Sequence, residues 1–313
     1  MLYHVGIDLG GTNIVAGVVN ESFEIISRAK LPTARPRSAR EILFDCARAV
    51  RQAVESAGLS MDVIEAVGIG SPGTIDSDRG VIEYANNLDF YDVPAADILG
   101  ELLSRPVHAE NDANAAAYGE YLAGSAKGAK NAVCITLGTG VGGGVIIDGR
   151  IYSGFNYAGA ELGHMVIEVD GPECTCGRRG CFEVFSSATG LVRMTREAMK
   201  AHPESVMHTM GEPGGRTAFN AMRQGDSAGK EVVDSYIKYL AAGIANVINI
   251  FQPEILSIGG GVCNEGDALL NPLKEAVAGE VYTRRGQKNT KIVIATLGND
   301  AGIIGAAFLG QGK

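Results

Sequence analysis

The chain has no apolar run approaching the roughly 20 residues that a bilayer-spanning helix needs. Nor does it open on a leader: Met1 and Leu2 run straight into "YHVGIDLGG". No membrane partner is therefore expected, and the cytoplasm is the expected location. Lys and Arg nowhere concentrate beyond small pairs, and 27 of them against 36 Asp and Glu leave a net charge of −9. This argues against nucleic acid or an anionic membrane as a partner. It does not argue against an anionic small molecule, which a few backbone amides can hold. A Walker-type G-x-x-x-x-G-K-[ST] is missing as well. Low-complexity linkers are absent. Cysteine is scarce, at six in 313 residues. Cys46, Cys134 and Cys263 stand singly among apolar neighbours and read as small core residues. The other three crowd into "GPECTCGRRGCFE", 171–183.

What the chain has in excess is glycine, 43 residues, about twice the usual share of roughly 7%. That predicts many tight turns and close backbone approaches. Strands are expected at Tyr3–Leu9, Ile14–Asn20 and Phe23–Lys30, then a helix in "SAREILFDCARAVRQAVESAG" ended by Gly58. A buried strand "VIEAVGIGS", a loop, a helix in "PAADILGELLS" and the strand "PVHAEN" follow. A helix from Asp112 to about Ala123 leads into a strand Asn131–Leu137, with more β structure to about Asp170. The remainder reads as mostly helical, interrupted by the strands "EILSIGG" and "KIVIATL". Strands alternating with helices predict an α/β fold with mixed sheets.

An internal repeat orders these pieces. "VGIDLGGTNIVAGVV" (5–19) aligns without gaps to "VCITLGTGVGGGVII" (133–147). Each is an apolar strand, a Gly/Thr turn and a second strand, which predicts two similar domains facing a shared cleft, each offering one hairpin. "GIDLGGT" is not a dinucleotide fingerprint, because the β-branched "NIVAGVV" after it reads as a strand, whereas such loops open a helix. The turn is instead a hairpin whose exposed amides form an anion nest. Gly10 and Gly11 let a phosphate approach the backbone, Thr12 adds a hydroxyl, and Gly138 with Thr139 repeat the device. Asp8 would repel phosphate alone, so it points to an intervening Mg2+. A plain hairpin with a solvated Asp is the alternative. Gly259, Gly260 and Gly261 offer side-chain-free backbone against which an adenine could lie.

These motifs in this order resemble the actin/hexokinase-type ATPase superfamily. Within it the chain resembles the ROK family of sugar kinases and sugar-responsive repressors, over essentially its whole length. The signature is "LGTGVGGGVIIDGRIYSGFNYAGAELGH" (137–164), continuing into C-x-C-G-x-x-G-C-x-E. The resemblance implies two ribonuclease H-like, actin-like α/β domains with mixed sheets flanking a central cleft. The expected division is 1–117, joined by a C-terminal helix 299–313, and 118–298, carrying a zinc loop 164–183. It further implies an ATP-dependent hexose kinase, glucose first among acceptors, with Mg2+ as cofactor and a homodimer or homotetramer as the assembly.

Phosphoryl transfer needs a base for the acceptor hydroxyl. From spacing alone Asp112 in "AENDANA" is equally a general base or a helix N-cap; the resemblance implies the base, with Asn111 on the sugar. It likewise implies sugar contacts from Glu161, His164 and Glu183, and from Gly73 and Asn86. Without it, Glu161 reads as solvated and Glu183 as a surface salt bridge. The cysteine spacing is too tight for an easy disulfide between the first pair, and three thiols leave one unpaired. Cys174, Cys176, Cys181 and His164 instead make a closed set of three sulfurs and one nitrogen for structural Zn2+, which would hold Glu183 and His164 in place; reduced thiols with no metal are the alternative. Alternatives are a kinase for fructose, mannose, allose or N-acetylmannosamine, a sugar-sensing repressor, and a non-catalytic sugar-binding protein. The repressor is disfavoured because only two residues precede the first strand and no helix-turn-helix is found there.

Overall fold

The computed structural model describes residues 2–311. In chain order it begins with β1 (Tyr3–Leu9), β2 (Asn13–Asn20), β3 (Ile25–Pro32), α1 (Ala39–Ser56) and β4 (Ile64–Ser71). Three short strands follow, β5 (Thr74–Asp76), β6 (Val81–Ala85) and β7 (Phe90–Val93), then α2 (Ala95–Leu103), β8 (Val107–Asn111) and α3 (Asp112–Ala123). After these come β9 (Ala132–Leu137), β10 (Val141–Ile147), β11 (Arg150–Ile151), α4 (Phe182–Ser186), α5 (Ala188–Ala201), α6 (Thr217–Arg223) and α7 (Ser227–Phe251). The chain closes with β12 (Ile255–Gly259), α8 (Asp267–Glu280), β13 (Lys291–Ile294) and α9 (Asp300–Ala307), then a 3-10 turn Leu309–Gln311. The last two positions of the expected helix 299–313 lie outside the described residues.

The repeat seen in the sequence is a repeat of topology. One sheet is ordered β3-β2-β1-β4-β8 and another β11-β10-β9-β12-β13. In each, a hairpin is extended on one side by a third strand and on the other by two strands that arrive through helices. The pairing β1–β2 is antiparallel, while β1–β4, β4–β8 and β12–β13 are parallel, so the sheets are mixed. Two compact units divide the chain. One runs to Cys134 and takes in Gly144–Ala160 and the segment from Ala295 onward; the other is Ile135–Gly143 with Glu161–Ile294.

Local chemistry explains the main elements of the first unit. Ser38 and Glu41 form a reciprocal capping box at the start of α1. Ile42, Leu43, Cys46, Ala49, Val50 and Ala53 recur at helical spacing and are fully buried. The C-terminal helix α9 lies directly on β1 and β4. A Cβ on Gly6 would sit 1.8 Å from the Ile303 carbonyl oxygen, and one on Gly68 1.8 Å from that of Ala306. Only glycine at these strand positions permits such an approach. Among the described residues no helix is long and apolar enough to cross a membrane.

Three expectations need correction. The third strand starts at Ile25, because Phe23 turns the chain with φ 63° and its N–H donates to Asn20 O at 3.0 Å. The segment read as a loop after β4 holds the three-stranded sheet β5-β6-β7; strands of three to five residues give too short an alternation to read. The strands expected to about Asp170 end at Ile151, and only an isolated bridge, Val166 to Cys181, lies beyond within that span. His164 consequently sits in a 3-10 turn, Leu162–His164, and not at the end of a strand. Cys46, Cys134 and Cys263 are buried, as read from their neighbours.

Candidate active site

In the first unit β1 delivers Asp8 to the edge of the turn Gly10–Thr12. Gly10 N–H closes that turn on Asn13 O at 2.9 Å. Thr33 fastens it from behind, its hydroxyl donating to Gly10 O at 2.7 Å and its N–H to Thr12 O at 2.9 Å. Thr12 is left exposed at the tip. A cavity of about 570 Å3 opens here, lined by Asp8, Gly10, Gly11 and Thr12 together with Arg28 and Lys30. The two cations on β3 were not singled out in the sequence, nor was Arg35. Its Nε donates to Gly11 O at 2.8 Å and its Nη1 to Asn87 O, so it ties the turn to the loop carrying Asn86. Asn86 itself is exposed, its Oδ1 accepting from Tyr84 at 3.2 Å. Nothing local marks Arg35; only the return of the chain after β3 brings it to Gly11.

The rivalry between base and cap at Asp112 has a clear geometric outcome. Asn111 is the N-cap of α3, its Oδ1 accepting from Ala113 N at 2.9 Å and Asn114 N at 3.2 Å. Its Nδ2 donates to Gly73 O at 3.0 Å, so Gly73 positions Asn111. Buried Glu110, also missed in the sequence, accepts from Asn111 N at 2.8 Å and Asn114 Nδ2 at 3.1 Å, and braces the same turn. Asp112 is thereby released from capping. Its Oδ1 accepts from Ala113 N at 2.8 Å. Burial raises the Asp112 pKa, partly offset by that amide. Burial, and after it the Asp112 charge, push Asp8 up to about 6. The Asp112 charge thus reaches Asp8 beside the turn Gly10–Thr12.

In the second unit the turn Gly138–Gly140 joins β9 to β10, closed by Gly138 N–H on Gly140 O at 3.0 Å. Thr139 is exposed at its tip, as Thr12 is in the first hairpin. Of the late glycines, Gly259 ends β12 and Gly260, with φ 94°, packs on this hairpin: a Cβ there would lie 2.2 Å from Leu137 O. Gly261 faces open space, with nothing within 4 Å of its missing Cβ. Glu161 is exposed just before the turn that carries His164.

The cysteine loop folds back on that turn. Cys174 N–H donates to Arg178 O at 2.8 Å and Gly177 N–H to Cys174 O at 3.0 Å, which draws the thiols inward. Cys174 Sγ lies 3.7 Å from His164 Nδ1, and Cys176 Sγ 3.7 Å from Cys181 Sγ. One ligand atom from each of the four residues falls within 4.8 Å of every other. A tetrahedron with metal–sulfur bonds of about 2.3 Å has edges of about 3.8 Å, so the donor set suits zinc. Burial raises the Cys174 thiol and pushes Cys181 up to about 12. A divalent cation would replace protons that the buried thiols otherwise hold. Glu183, one residue into α4, is not in a surface salt bridge: its Oε2 accepts from Val141 N at 3.0 Å.

Mixed-sheet α/β units, each with a glycine hairpin, and a carboxylate pair beside one of them define the fold class as that of the actin-like ATPases. Within that class the chain belongs to the ROK family, which it matches over residues 4–313. It is 39% identical to a glucokinase of Halalkalibacterium halodurans, covering 98% of this chain and 94% of that one. To a glucokinase of Thermotoga maritima it is 38% identical, with 97% and 96% covered. A crystal structure of a ROK family glucokinase from Streptomyces griseus, in complex with glucose and AMPPNP, superposes with a TM-score of 0.81 at 36% identity, covering 98% of each chain.

Proposed function

We propose that the protein is an ATP-dependent hexose kinase, a glucokinase that phosphorylates the sugar 6-hydroxyl. The observation that carries this reading is the half-buried pair Asp8 and Asp112, both shifted upward, on a unit whose first hairpin exposes Thr12. Near-full-length similarity to glucokinases supports the substrate.

The chemistry follows from charge and proton balance. The sugar O6 attacks the γ-phosphorus, a new P–O bond forms, and the bond to the β,γ-bridging oxygen breaks to release ADP. Asp112 accepts the hydroxyl proton as the oxygen attacks. Asp8 would hold Mg2+, and that ion would neutralise phosphate charge. The amides at Gly10–Thr12 and at Gly138–Thr139 donate to phosphate oxygens. Asn111, with its Oδ1 spent on the cap, gives the sugar its remaining amide hydrogen. Gly73 and Asn86 flank it, and Glu161, His164 and Glu183 accept from further hydroxyls. Gly261, between Gly260 and Val262, takes the adenine side together with Gly259 and Gly260. Cys174, Cys176, Cys181 and His164 would hold structural zinc, a closed set with no open position for catalysis. We further propose the actin-like domain division at about residue 117, with the chain's end returning to the first domain, and assembly as a dimer or tetramer.

The test is a coupled ADP-release screen against a panel of hexoses and N-acetylhexosamines. Glucose should give the highest kcat/KM. Faster turnover of fructose, mannose, allose or N-acetylmannosamine would reassign the acceptor, and no turnover of any sugar would overturn the kinase.

A further inference from the structure

The cysteine loop and the second hairpin meet at one peptide. Val141, the first residue of β10 after the turn, has its N–H held by Glu183 Oε2 at 3.0 Å. A Cβ on Gly140 would begin 2.1 Å from that same oxygen, so only glycine there lets the carboxylate in. Gly163 comes as close from its own side, where a Cβ would sit 2.2 Å from Val141 O. Val141 is thus gripped by the neighbour of His164 and by the residue two beyond Cys181. Cys174 Sγ reaches the other oxygen of Glu183 at 3.7 Å. Ala188 N–H, five residues further along, donates to Gly138 O at 2.9 Å and ties down the near side of the turn. The backbone carrying Glu183 is itself set in core: Phe182 is fully buried, and a Cβ on Gly243 of α7 would be 2.2 Å from its ring.

We propose that Glu183 is a positioning residue for the hairpin Gly138–Val141, with the Cys/His cluster as its anchor. The inference rests on the kinase reading, in which this hairpin holds the nucleotide phosphates and Glu183 also reads the sugar. One carboxylate would then serve both substrates: Oε2 fixes the hairpin, and Oε1, on the Cys174 side, is the oxygen left for a sugar hydroxyl. A charge-assisted hydrogen bond from a backbone N–H is among the stronger kinds, and its loss frees the far side of a glycine-rich turn whose near side Ala188 still ties. A residue that only read the sugar would leave nucleotide binding untouched.

Glu183→Ala and Glu183→Gln in the full chain separate the two roles. Binding of Mg2+ and the β,γ-imido analogue of ATP is measured by calorimetry without sugar, alongside hydrogen exchange of a peptide spanning 137–143. Glu183→Ala should bind the analogue about tenfold to a hundredfold more weakly, with faster exchange in that peptide. Glu183→Gln keeps an acceptor oxygen and should stay within about threefold of wild type. Should the alanine variant fail to fold, Glu183→Met keeps the length without the acceptor and carries the same expectation. Unchanged analogue binding and unchanged exchange, with only sugar affinity lost, would overturn the inference. A wild type that turns over no sugar would overturn the kinase reading instead, while the exchange data still report the brace.

Discussion

Asp8→Asn should make the protein more stable while removing its activity. The Asp8 carboxyl is raised from about 3.8 to about 6, burial being the larger cause and Asp112 the smaller. Between those values the folded chain binds a proton that the unfolded chain has released, so the native state is penalised as pH rises through this window. Above pH 6 the penalty is complete. At about 1.4 kcal/mol per pH unit, a window about two pH units wide sets a ceiling of about 3 kcal/mol. A neutral isostere escapes it, so Asn at this position should raise stability at pH 7.5 by up to that amount, on the order of 5 °C in Tm for a chain this long. The gain must shrink as pH falls and vanish below about 3, where the Asp8 carboxyl is protonated in the folded and unfolded chain alike. Calorimetric melts or urea midpoints at several pH values, without nucleotide or Mg2+, read this directly. A variant no more stable at pH 7.5, or one whose gain is equal at pH 7.5 and 4, would refute the argument. The same substitution should cost activity at saturating sugar, because the group that strains the fold is the one assigned to hold the cation.

Asp112→Asn should lower kcat by about 10²- to 10⁴-fold with sugar affinity retained, measured by coupled assay and calorimetry; near-normal turnover would remove it as the base. Because burial raises the Asp112 pKa, wild-type kcat/KM should fall on the acid side at a higher pH than an ordinary carboxylate would give. Elemental analysis of the purified protein should find about one zinc per chain, and its absence would sink the metal assignment at Cys174, Cys176, Cys181 and His164. Gly6→Ala should cost about 3 kcal/mol or more, since its Cβ would begin 1.8 Å from the Ile303 carbonyl and must displace α9; an unchanged urea midpoint would contradict that packing.

Much of the fold was legible before any coordinates. The repeat 5–19 and 133–147 announced two hairpins because an apolar strand, a Gly/Thr turn and a second strand are all local features, set by φ/ψ preference and alternation. The α1 capping box Ser38–Glu41 and the helix stop at Gly58 are of the same kind. What escaped was short or non-local. β5, β6 and β7 are three to five residues long, and Arg35 is marked only by where the chain returns.

The site divides along the same line. Sequence alone determined which candidate groups are present: one aspartate at a glycine turn, a second where a strand meets a helix, and three thiols and an imidazole at metal-ligand spacing. Tertiary structure decided which partners each side chain meets. Asn111 takes the cap of α3 and frees Asp112, burial and mutual charge raise Asp8, and Glu183 turns to the Val141 amide. Residue type and spacing are properties of the chain. Desolvation, charge proximity and hydrogen-bond choice exist only once distant segments are packed together.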